Sequence, residues 1–93
     1  MTTKTPSDKQ MPLVHLNGSG KDNLLQWREE AWEALDEARN ALAAMFPNGR
    51  DYYPLGPEAF ERAIEQHRRR QEAIQWVMDE IHAEIQHIYE VTE

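Results

Sequence analysis

The sequence predicts an all-α protein: an antiparallel helical hairpin with a short extended N-terminal arm, assembling into an oligomeric helical bundle. Three observations predict it. Apolar residues recur at helical spacing from Leu24 to Phe46. They recur again, more regularly, from Phe60 to Ile88. Between the two stretches, PNGRDYYPLG (47–56) holds two prolines, two glycines and an asparagine, residues that turn a chain and stop helices.

Length allows one domain, because the chain has 93 residues. With a polar tail set aside, about 75 residues remain to fold, a size at which a single core is marginal without a staple. There is no cysteine, which excludes disulfides and thiolate zinc sites and fits a reducing compartment. A partner chain is the staple that remains. Formal net charge is −7, so bulk nucleic acid, which is bound by neutralising phosphates, is excluded as a partner. No apolar run approaches the roughly 20 residues of a membrane helix, and Met1–Gln10 has no signal-peptide core. These readings point to a soluble cytoplasmic protein.

The first ten residues, MTTKTPSDKQ, offer nothing to bury and are expected to be a disordered tail. Met11 is a possible alternative start. Residues 11–20 form an extended arm and a turn: Pro12 discourages a helix, Leu13, Val14 and Leu16 can dock, and Asn17-Gly18-Ser19-Gly20 turns the chain. Residues 21–93 form the hairpin domain, with helices at about 21–46 and 57–90. Ser19 and Asp22 have the spacing of a capping box for the first helix. Leu24, Ala31, Ala38 and Met45 then repeat every seven residues, with Leu35 and Leu42 in the same stripe and Leu25, Trp32 and Phe46 beside it. Glu29, Glu30, Glu33 and Glu37 form the opposite, solvated face. Pro57 suits the first position of the second helix, and Glu58 suits its positive dipole end. Phe60, His67, Ile74, Ile81 and Ile88 form its seam, with Ile64, Gln71, Met78 and Ile85 as the companion row.

At 1.5 Å per residue the helices are roughly 37 and 50 Å long. Folded back symmetrically about the loop, residue 22 falls near residue 81. Ile81, Ile85, Ile88 and Tyr89 then overhang as an unpartnered stripe. Leaving large aliphatic side chains wet forfeits about 1.5–3 kcal/mol each. The expected cover is the arm, through Leu13 and Leu16, together with a second protomer. These six residues are therefore the expected oligomer interface.

Two constellations suggest ligand chemistry. In the loop, Arg50 offers a planar donor fork for phosphate, and Tyr52 and Tyr53 offer faces for stacking a base. The structural alternative has the tyrosines capping the core and Arg50 paired with Asp51 or a helix carboxylate. In the second helix, His67, Arg70 and Gln71 interrupt the seam beside Arg68 and Arg69, and Arg39 is expected opposite His67. This group can line an anion pocket or serve as a buried network that fixes register. Asp79/His82 and Glu84/His87 share helix faces but flank the seam, so no metal site is expected and no cofactor. No nucleophile stands beside a fixed base, and there is no phosphate loop or HExxH. An enzyme is not expected.

Three segments also carry a likeness. Val14-His15-Leu16-Asn17-Gly18-Ser19, Pro47-Asn48-Gly49-Arg50-Asp51-Tyr52-Tyr53 and Glu65-Gln66-His67-Arg68-x-Arg70 resemble small hypothetical proteins of tailed phages and prophages. The likeness spans about residues 13–85. Its most specific part is the NGRDYY turn, and Ser19 stands where those proteins usually have threonine. It implies a phage context, hence the cytoplasm of an infected host, and carries no activity of its own. In that context a counter-defence role suits the residues. The expectation is a homo-oligomer that sequesters a small phosphorylated, cyclic nucleotide-like ligand, as anti-CBASS-like sponges do, through Arg50, Tyr52, Tyr53, Arg39, His67 and Arg70. The alternatives are an acidic inhibitor or adaptor of a host protein, acting through Glu29, Glu30, Glu33, Asp36 and Glu37 with Glu72, Asp79, Glu80 and Glu84, or a structural phage component.

Overall fold

The computed structural model describes residues 10–91. Most of the expected N-terminal tail lies outside the described residues. The chain forms an arm, helix α1 (Lys21–Ala43), two short 3-10 turns (Gly49–Asp51 and Tyr53–Leu55) and helix α2 (Pro57–Val91). The fold is the expected all-α hairpin.

The start of α1 differs from the capping box. Leu24 N–H donates to the Gly20 carbonyl at 3.0 Å, so Gly20 is the capping residue and no side chain caps the helix. Ser19 lies one residue outside the position from which its hydroxyl could serve. The helix also ends at Ala43, three residues before the expected Phe46. Met45 N–H donates to Leu42 O and Phe46 N–H to Ala43 O, so the last turn tightens. Pro47 has no N–H to continue the helix and disfavours helical geometry in the residue before it.

The loop is held by its own backbone and by one side chain. Asn48 Oδ1 accepts from Arg50 N–H at 2.9 Å, which starts the first 3-10 turn. Gly56 ends the second with φ 99° and ψ 160°, a region open almost only to glycine. Pro57 then begins α2 with the fixed φ a first helical residue needs.

The register corrects the overhang. Arg28 donates to Glu84 at 2.7 Å, Arg39 to Gln75 at 2.8 Å, and Phe46 meets His67. Partner numbers add to about 113 throughout, which puts residue 22 level with residue 91, not 81. The cause is the loop. Residues 44–56 are not a tip but run back along the first turns of α2, with Gly49 and Tyr52 against Phe60. The longer helix thus has its excess at the loop end, where the loop covers it. At the other end Ile88 is fully buried with Leu24 and Leu25, and Val14 and Ile85 pack on that cluster.

Ile81, Ile85 and Ile88 therefore do not overhang: Ile88 is buried with Leu24 and Leu25 of α1, Ile85 packs on that cluster, and Ile81 is half-buried. Tyr89 is exposed, with the Lys21 ammonium 5.5 Å from its ring centre. The arm docks through Val14. Leu13 and Leu16 are exposed, Leu16 almost completely, because the chain turns just after Val14. Gly18 N–H donates to His15 O at 3.2 Å, and a Cβ at Gly18 would meet the His15 ring at 2.6 Å. No helix among the described residues is long and apolar enough to cross a membrane.

Candidate functional site

The loop residues build one hollow. Gly49, Arg50, Tyr53, Gly56, Pro57, Phe60 and Glu61 line a volume of about 640 Å³, within the usual range for small-molecule sites. Tyr52 falls between the two 3-10 turns, with φ −124° and ψ −19°, and the expected trio divides. Tyr52 turns inward and its ring sits 6.2 Å from that of Phe60, a core cap. Tyr53 is 76% exposed and Arg50 is exposed beside it. Among the described residues no carboxylate lies within ion-pair distance of Arg50. The structural alternative thus holds for Tyr52 and not for Arg50.

The second constellation is not assembled as expected. Arg39 and Gln71 do share a groove of about 460 Å³ with Asn40, Ala43, Arg68, Glu72 and Gln75. His67 and Arg70 are not part of it. The assumed register set Arg39 opposite His67, whereas Arg39 meets Gln75 eight residues further along α2. Arg70 is exposed, and at 100° per residue it points to a different face of α2 from Gln71.

The groove's cations are already neutralised. Arg39 donates to Asp36 Oδ1 at 2.5 Å. Arg68 donates to both Glu65 and Glu72. The hydrogen bond from Arg68 holds the Glu65 carboxyl below its ordinary value, and the same bond raises the Arg68 guanidinium. All these groups are substantially exposed, so the pairs are screened and add little stability. They do remove the free positive charge a phosphate would need.

His67 is 1% exposed, and its Nε2 has no hydrogen-bond partner among the described residues. The Phe46 ring meets it edge-on at 5.4 Å. It is a buried polar residue, as its place in the seam implied, but neither Arg39 nor Arg70 satisfies it.

Glu84 is held by Arg28, and His82 lines a third groove with Glu29, Trp32, Glu33 and Ile85, about 370 Å³. Sequence reasoning missed Trp32 and Phe60 as lining residues. Phe60 was assigned to the seam and Trp32 to its flank; the loop lying along α2 makes the hollow beside Phe60, and His82 and Ile85 of α2 face Trp32 across the other. No protein-family model, curated protein or solved structure matches the chain.

Proposed function

We propose that this chain is a non-enzymatic binding protein that captures a small phosphorylated, nucleotide-like ligand in the loop hollow. The observation that carries the reading is an Arg50 with no carboxylate in ion-pair distance among the described residues, beside the exposed Tyr53 ring, over a floor of Phe60 and Pro57. A phosphate is attracted by Arg50 and repelled by Glu61. A base stacks on Tyr53 and Phe60. The two ends of the ligand are thereby told apart. Arg39, His67 and Arg70 have no part in this version of the site. The phage likeness of the NGRDYY turn gives the setting, counter-defence in the cytoplasm of an infected host, with the protein acting as a homo-oligomeric sponge.

Thermal unfolding in the presence of cyclic and linear nucleotides tests the reading. A ligand at 100 times its Kd stabilises the folded state by about 2.7 kcal/mol. The expected result is a rise in Tm with at least one cyclic nucleotide that Arg50→Ala abolishes. No rise across the panel contradicts it.

A second reading has one observation in its favour. Glu29, Glu30, Glu33 and Glu37 are all exposed on α1, a charged face suited to a basic site on a host protein. Reversing Glu30, Glu33 and Glu37 to lysine then releases a partner that the unaltered chain retains in a pull-down; a partner set unchanged by the reversal removes this reading.

A further inference from the structure

One face of the hairpin is rich in exposed apolar residues, and none of the described elements packs on it. Trp27, Ala31, Ala34, Ala38, Ala41 and Met45 follow one another in alternating steps of four and three, the spacing of a helix-packing seam. All six are exposed, Trp27 by 53% and Met45 by 61%. At 100° per residue this seam lies about 110° round α1 from the side that meets α2. The corresponding face of α2, on the same side of the two-helix layer, carries exposed Ala73 and Val77. The grooves of Arg39 and Trp32 are on the other side.

We propose that a second copy of this chain packs on this face, about a two-fold axis crossing the hairpin at the level of Asp36 and Val77, to make an antiparallel four-helix bundle. This deepens the oligomeric part of the reading above and is independent of its ligand part. A two-fold interface must be self-complementary, each residue meeting the partner's copy of the residue it is exchanged with. The seam meets that demand about position 36: on α1, Ala34 exchanges with Ala38 and Ala31 with Ala41, and Trp27 exchanges with Met45 in the tightened turn just past the helix. Small residues at the centre let the backbones approach to about 8 Å, and the large ones close the ends. On α2 the corresponding centre is Val77. Positions 36 and 77 are at one level of the hairpin, because they fall on the register set by Arg28–Glu84 and Arg39–Gln75. A single axis therefore serves both helices.

Charge and area agree with this occupant. Arg70 is exposed, and among the described residues no carboxylate lies within ion-pair distance of it. Position 70 exchanges with 84 about 77, so the second copy brings Arg70 to Glu84, which already holds Arg28 at 2.7 Å. A face as long as the 23-residue α1 and two helices wide measures roughly 34 by 20 Å, about 700 Å². That is close to the ~800 Å² per partner of a standard stable interface.

The test is native mass spectrometry of the full chain, with cross-linking. The expected mass is an even multiple of the chain. Ala34→Glu with Ala38→Glu replaces two exposed residues, so helicity by circular dichroism is kept while the mass falls to half or less. Val77→Cys, the sole cysteine in its chain and on the axis, forms an intermolecular disulfide under mild oxidation, and Gln75→Cys on the other side does not. A monomeric unaltered chain overturns the proposal. So does an oligomer that survives the double glutamate variant, or one in which Gln75→Cys cross-links as readily as Val77→Cys.

Discussion

The two ends of the hairpin are built from similar material and finished differently. At the terminal end, Leu24, Leu25 and Ile88 close on one another and Val14 lies over them. Charge there is confined to the edges, in Arg28–Glu84 and in Lys21 over Tyr89. At the loop end the aromatic residues are more numerous but less covered. Tyr53 and Leu55 are exposed, Phe46 is more than half exposed, and His67 is buried with no partner for Nε2 among the described residues. A sealed end stabilises the fold. The open end presents Tyr53 and Arg50, residue types in which interface hot spots are enriched. The difference teaches that the loop is not simply the shortest way back.

If that division holds, substitutions at the two ends differ in kind. The largest effect is expected at the sealed end. Ile88→Ala removes a fully buried side chain and lowers stability by about 2–5 kcal/mol, read from urea unfolding. A loss below 1 kcal/mol would mean that the terminal end is not closed. Next is Gly56→Ala, which forces a Cβ onto φ 99° and costs about 1–3 kcal/mol in the same assay. A tolerated alanine would show that the loop can take another path. His67→Leu works in the opposite direction. It replaces an unsatisfied buried ring nitrogen and is expected to raise stability by about 1 kcal/mol. A loss instead would reveal a partner for the imidazole. Tyr53→Ala, at an exposed position, is expected to leave stability within about 0.5 kcal/mol and to abolish the Tm rise that the proposed nucleotide binding predicts.

Much of this architecture was legible in the sequence. The helices followed from heptad spacing and the loop from Pro47, Asn48, Gly49 and Gly56, because local periodicity and backbone chemistry decide those features. Register was not legible. It depended on whether residues 44–56 projected from the hairpin or lay along α2, and this is decided by Phe46, Gly49 and Tyr52 packing on His67 and Phe60. Those are long-range contacts that no spacing rule contains. A shift of about ten residues followed, which dissolved the Arg39–His67–Arg70 pocket and covered Ile88. Arg50 and Tyr53 remained together because they are neighbours in one turn.

The smallest expected effect concerns the surface pairs of α2. Glu65 is held below its ordinary value of 4.5 by Arg68. A carboxyl lowered on folding contributes stability that is present above its unfolded pKa and lost as pH falls through its folded one. Acid titration of the unaltered chain should thus lose a small increment below pH 4.5 that Glu65→Gln does not lose. Identical acid profiles would show the pair to be inert.

The most direct test of the division between the ends is amide and side-chain NMR during titration with a cyclic dinucleotide and a cyclic trinucleotide. Shifts concentrated at Arg50, Tyr53, Gly56 and Phe60, with Leu24, Leu25 and Ile88 unmoved, are the predicted result. Shifts centred on the Arg39–Arg68 groove, or none with either ligand, would contradict it.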